Sequence, residues 1–216
     1  MKKEITLIVF VLLSIFSLNV NAQEESSWST GVDLYSGYVW RGAKFGSGPA
    51  LQPGVSYSNS GFTVGAWGSY CFSTNEAAEA DLYASYGFDL GENSSLTFTV
   101  TDYYFPGSGS MYFDGDSHYF EPMVSLGLGK FSVLGAYMTN AEDMYFEAGL
   151  EVGSVNLFAG AGDGQYTKDA SFNLCNIGIK TGKEIKISDS FSIPVTGAVI
   201  LNPSTEQFNI VVGITL

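Results

Sequence analysis

Apolar and polar residues alternate with a period of two along most of this chain after its first two dozen residues, and no helical period persists. Near the start, Trp28, Thr30, Val32, Leu34, Tyr38 and Trp40 share one phase, and Ser29, Asp33, Gly37 and Arg41 the other. At the end, Phe208, Ile210, Val212, Ile214 and Leu216 alternate with Gln207, Asn209, Gly213 and Thr215. Successive side chains of a strand point to opposite faces, so each segment predicts a strand with one apolar and one polar side. Ten further segments read alike, at about 49–58, 61–73, 78–90, 95–106, 117–129, 130–140, 143–152, 155–163, 170–181 and 190–201. Together they predict about twelve strands, with ten or fourteen as the alternatives.

The connectors alternate too. Ser58-Asn59-Ser60-Gly61, Gly91-Glu92-Asn93-Ser94, Gly129-Lys130 and Gly153-Ser154 are short hairpin turns, whereas 41–48, 73–78, 106–116 and 163–169 are longer. Short turns on one side and longer loops on the other, with an even strand number, are the pattern of a transmembrane up-and-down antiparallel β-barrel. Two connectors depart from it: 182–189 is long for its side and 139–142 short. Aromatics gather near strand ends in two sets, as interfacial girdles do. Trp40, Phe72, Tyr103, Tyr104, Phe105, Tyr119 and Phe120 fall in the outer set, and Trp28, Tyr57, Phe62, Phe88, Phe131 and Phe191 in the inner. The rival fold is a soluble sandwich or lipocalin-like barrel, which turns its apolar phase inward and needs a polar outside. Here the polar phase is Gly, Ser, Thr and acids with few lysines, a poor solvent surface.

The first 22 residues stand apart. Lys2 and Lys3 precede an apolar run from Ile5 to Leu18, and Val20-Asn21-Ala22 ends in a small residue. That is a cleavable secretory signal, 1–22, ahead of a barrel domain, 23–216; the run is too short for a comfortable span of ~20 residues. An alternating C-terminal strand resembles the signal read by the outer-membrane barrel assembly machinery, although Leu216 stands where an aromatic is usual. The expected location is therefore a bacterial outer membrane, with its lipid and the assembly machinery as partners.

Composition narrows the function classes. The chain holds 26 Gly, 16 Phe and 13 Tyr, yet only 14% charged residues, against ~25% in ordinary soluble domains. Its formal net charge is −13, which excludes the basic footprint that nucleic acid requires. Two cysteines, Cys71 and Cys175, fall on strands far apart in the predicted order and are expected to be unpaired thiols.

A further signal lies in particular residues: Ser36-Gly37-Tyr38-Val39-Trp40-Arg41-Gly42, Pro49-Ala50-Leu51-Gln52-Pro53-Gly54, Gly61-Phe62-Thr63-Val64-Gly65-Ala66-Trp67-Gly68-Ser69, Asp81-Leu82-Tyr83-Ala84-Ser85-Tyr86 and Tyr103-Tyr104-Phe105-Pro106-Gly107. In order and spacing this stretch resembles Gcw_chp, a bacterial family of unknown function whose members look like outer-membrane proteins. The resemblance implies a place in the cell and no activity.

Candidate chemistry is sparse. Asp33, Asp81, Asp89, Glu121, Glu147 and Glu151 lie on the polar phase and are expected to face the lumen, where acids favour cations. The bland alternative is that they pair with Arg41, Lys180 and hydroxyls and fill the barrel. Arg41 either grips a lumen carboxylate or an anion, or bridges Asp33 or sits as a loop charge. His118, the single histidine, follows Asp116 and Ser117 near the outer end of a strand. A His–Ser–acid set there would make a lipid-modifying enzyme, although neighbouring strand residues point to opposite faces. Asp163-Gly164-Gln165-Tyr166 and Asp114-Gly115-Asp116 read as turns rather than calcium loops, and neither a metal nor a cofactor is expected. The sequence thus predicts a non-enzymatic barrel, structural or a cation-favouring small-solute channel. The alternatives are a lipid-modifying enzyme centred on His118 and a barrel that binds ligands with its outer loops, above all 106–116.

Overall fold

The computed structural model describes residues 27–216 except 74, 75, 110 and 190, so the signal expected at 1–22 lies outside the described residues. The strands are β1 Ser27–Tyr35, β2 Tyr38–Trp40, β3 Ala43–Phe45, β4 Ala50–Asn59, β5 Phe62–Cys71, β6 Glu76–Gly91 and β7 Ser94–Tyr104. They continue as β8 His118–Leu128, β9 Phe131–Met138, β10 Asp143–Val152, β11 Val155–Gly164, β12 Ala170–Ser188, β13 Phe191–Asn202 and β14 Gln207–Thr215. Twelve of them close into one antiparallel barrel, with β1 between β14 and β4 and every other neighbour consecutive in the chain. β2 and β3 pair only with each other.

The alternation dictates which face each residue takes, and cross-strand partners share a face. Asp33 pairs with Gln52, Trp67 with Asp81, Asp81 with Tyr103, and Thr101 with Glu121, all inside. The opposite phase leaves Phe98, Val124, Phe146, Ile179 and Ile210 exposed on the outer wall. Buried positions include Gln52, Ser69, Glu79, Asp81, Glu121, Asp143, Asn176 and Asn202. The interior mixes these polar side chains with buried Met138, Tyr145, Tyr166 and Ala136, while large apolar side chains stand exposed on the outer wall.

Three readings of the sequence need correction. The first strand ends at Tyr35 rather than continuing to Arg41. Ser36 leaves the wall tied to β14, its N–H donating to the Val212 carbonyl (2.8 Å) and its hydroxyl accepting from the Val212 N–H (3.0 Å). Beyond it the chain turns inward as the β2–β3 hairpin, so Trp40 is not part of an outer girdle. Tyr103 does not belong to that girdle either; it is buried on the interior phase. The long connector at 182–189 is strand, because β12 runs to Ser188 and pairs with β13 as far as Ser188–Phe191. Its Ile185 and Ile187 keep the outward apolar phase and remain exposed.

At the end carrying Ser27 and Leu216 the connections 60–61, 92–93, 129–130 and 153–154 are tight turns, whereas the far end carries the β2–β3 hairpin and two short 3-10 turns, Pro106–Ser108 and Gly115–Ser117. The 139–142 connection is a tight turn at that far end.

Candidate functional site

The hairpin begins with its turn. Arg41 and Gly42 both have positive φ, 50° and 82°, the pair of left-handed residues that a two-residue hairpin matched to strand twist requires. Glycine adopts this freely. An arginine there is less favourable, and the contacts of its side chain offset that cost. The Arg41 guanidinium grips Glu121 through two parallel bonds, Nη1 to Oε2 at 2.5 Å and Nη2 to Oε1 at 2.8 Å. Nη1 also donates to the Tyr166 hydroxyl at 2.7 Å, and the Tyr103 hydroxyl donates to Glu121 Oε1 at 3.1 Å. The guanidinium lies 4.4 Å from the Trp40 ring centroid and 4.5 Å from that of Tyr145. Burial works against the Arg41 charge, but the Glu121 hydrogen bonds and charge more than reverse it, so its pKa lies above the usual arginine value.

Two glycines let the hairpin sit this deep. A Cβ on Gly42 would lie 2.0 Å from the Cys175 carbonyl oxygen, and one on Gly46 2.5 Å from Cys71 Sγ. Both cysteines are buried beneath the hairpin, neither of them in a disulfide among the described residues, and the Cys71 sulfur lies 3.1 Å from the Ser73 hydroxyl. Aromatic contacts complete the seat: Tyr38 against Trp67 at 5.6 Å, and Trp40 against Tyr103 and Tyr166, both at 5.5 Å.

Beside the Arg41–Glu121 clamp, β6 presents Glu79 and Asp81 on the same inner phase. Tyr38 hydrogen-bonds Glu79. Among the described residues, Glu79 Oε2 and Asp81 Oδ1 have no hydrogen-bond partner. On the other side of the hairpin a cavity of about 440 Å³ runs along the inner wall, bounded by Tyr35, Glu147, Asn156, Phe158 and Lys180 and by Tyr38 and Arg41. Glu147 is oriented there by hydrogen bonds from the Tyr145 hydroxyl and the Asn176 amide, the latter at 2.9 Å.

The residues singled out in the sequence therefore do different things. Arg41 is bound to Glu121 and not to Asp33. Asp33 Oδ1 accepts the Thr215 hydroxyl at 2.6 Å instead. Asp81, Glu121 and Glu147 surround the hairpin and its cavity. Asp89 and Glu151 are exposed towards the terminal end, and Asp89 caps a turn by accepting from the Gly91 N–H at 2.9 Å. His118 is remote from the interior. Nδ1 faces both Asp102 oxygens (2.8 and 3.0 Å), Nε2 contacts the Tyr112 carbonyl, and all these partners only accept, so the ring sits as an imidazolium donating at both ends. Asp102 is on the outer wall with exposed Leu82 and Phe120 as cross-strand partners. Ser117 Oγ lies on the Met111 and Asp114 carbonyls at 2.8 and 2.6 Å. No Ser–His–acid relay is assembled at this rim.

Sequence reasoning missed Glu79, Tyr166 and Asp102. Glu79 carries the same parity as Asp81 and was findable. Tyr166 lies in a loop and Asp102 on the apolar phase, and neither carried a signal.

A closed twelve-stranded antiparallel barrel with buried carboxylates and an inward, arginine-clamped hairpin is the class these features define. The chain belongs to a family described as a bacterial protein of unknown function, Gcw_chp, whose model matches residues 20–191. No curated protein matches the chain.

Proposed function

We propose that this protein is a bacterial outer-membrane β-barrel, exported behind a signal cleaved after Ala22. Its polar lumen is narrowed by the β2–β3 hairpin to a passage for small solutes, cations before anions. The reading is non-enzymatic. One observation carries it: in a closed barrel the large apolar side chains are exposed on the outer wall while Gln52, Glu79, Asp81, Glu121 and Asn176 are buried within. Hydrocarbon suits the first face and water or paired polar groups the second. Lumen carboxylates outnumber Arg41 and Lys180, and acid-lined passages favour cations. In this orientation the far end, with the 36–49 and 105–117 segments, faces outward, and the C-terminal strand addresses the barrel assembly machinery.

Fractionation with gel mobility before and after boiling tests the placement. The expected result is an outer-membrane band whose mobility shifts on boiling. A soluble periplasmic protein without a shift would sink the barrel-in-membrane reading. Planar-bilayer recording across a potassium chloride gradient then tests transport, with small conductance and a reversal potential of cation-selective sign expected. A silent bilayer would leave a structural barrel.

A further inference from the structure

Glu121, Glu79 and Asp81 lie on one side of the hairpin, and Arg41 supplies a cation to the first of them. Arg41 saturates Glu121 through both oxygens. Glu79 and Asp81, two residues apart on the same inward phase of β6, receive none. Glu79 is 2% exposed and Asp81 8%, and each has an oxygen without a hydrogen-bond partner among the described residues. An ionised carboxylate so buried is costly unless it is paired.

We propose that Glu79 and Asp81 bind a hard divalent cation of the calcium type, which fastens the hairpin to β6. Two carboxylates match two positive charges. The groups around them are oxygens: the Tyr38 phenol, which hydrogen-bonds Glu79, and the hydroxyl of Ser69, Glu79's cross-strand partner. Oxygen donors without nitrogen or sulfur suit calcium and not zinc or copper. Among the described residues no third acidic, His or Cys side chain joins them, so water completes the shell. The hairpin is then held at two points, by its own arginine on Glu121 and by a borrowed cation on Glu79 and Asp81. This inference needs only the barrel and its hairpin, and stands or falls apart from conduction.

The test uses the mature protein folded in detergent and terbium(III) as the probe. Trp67 is the cross-strand partner of Asp81 and lies 5.6 Å from the Tyr38 ring, so it sensitises terbium emission at this site. The expected result is saturable emission that calcium displaces. Affinity falls at least roughly tenfold in Glu79→Gln and Asp81→Asn, because ligand charge sets affinity, and is unchanged in the surface control Asp114→Asn. Wild type gives a second arm: calcium raises the temperature at which the folded gel band is lost. No saturable emission, equal affinity in the two variants, or no calcium effect on the wild-type band would overturn the proposal in favour of a proton shared between the carboxylates. Should a variant fail to give a folded band, the wild-type arm decides.

Discussion

Glu121 and the Glu79–Asp81 pair lie on one inner wall, on β8 and β6 with β7 between them, and all three are buried. They differ in what faces them. Glu121 meets a planar guanidinium, itself packed on the Trp40 and Tyr145 rings, and the Tyr103 hydroxyl, whereas Glu79 meets a phenol and Asp81 leaves an oxygen bare. The difference teaches that burial alone does not say whether a charge is structural. A carboxylate matched from within the chain acts as a rivet, and one left unmatched marks where something else must come.

The strongest way to break the comparison is to unmake the rivet. Arg41→Ala leaves Glu121 buried without its counter-charge, a loss of about 3–5 kcal/mol. The hairpin is expected to leave the interior, raising single-channel conductance several-fold and making Cys175 reactive to a maleimide. A reactive Cys175 with unaltered conductance would mean that the hairpin is not the constriction. Replacing both partners, Arg41→Met with Glu121→Leu, is expected to cost less than Arg41→Ala alone, since no charge is then stranded. The fraction surviving as folded band at a series of temperatures reads this, and a double variant weaker than the single would refute the rivet.

Backbone fit comes next. Both glycines have left-handed φ, but Gly42→Ala drives a Cβ against the backbone carbonyl of Cys175, while Gly46→Ala meets the side chain of Cys71, which can shift. Thiol labelling of the folded barrel should rise more in the first than in the second, and the reverse order would contradict the seating described here. The smallest effect is expected on the outer wall. Asp102→Asn removes a partner of His118 at the rim and should leave both conductance and Cys175 labelling as in wild type. A change in either would connect the rim to the lumen in a way the geometry does not suggest.

Much of the barrel could be read before folding. The strands at 143–152 and 155–163, and the turns between neighbours, follow from alternation and turn chemistry that act over a few residues. The site was legible only in part. Asp81, Glu121 and Arg41 stood out as charges on a polar phase, but nothing local joined Arg41 to a residue 80 positions away. The hairpin misled for a physical reason. Tyr38 and Trp40 continue the parity of Trp28 to Leu34, and parity records which face a residue takes, not whether the strand stays in the wall.

What the sequence determined, then, is the period-two pattern, and with it the strands, their facing and the closure of an even number of them, because these depend on local backbone geometry and on the sorting of apolar from polar side chains. The tertiary structure alone decided that residues 38–45 fold inward, that Arg41 takes Glu121 rather than Asp33, and that Glu79 and Asp81 are buried without a counter-charge among the described residues. Those outcomes rest on which distant walls face each other across a closed barrel, and no short-range pattern contains that distance.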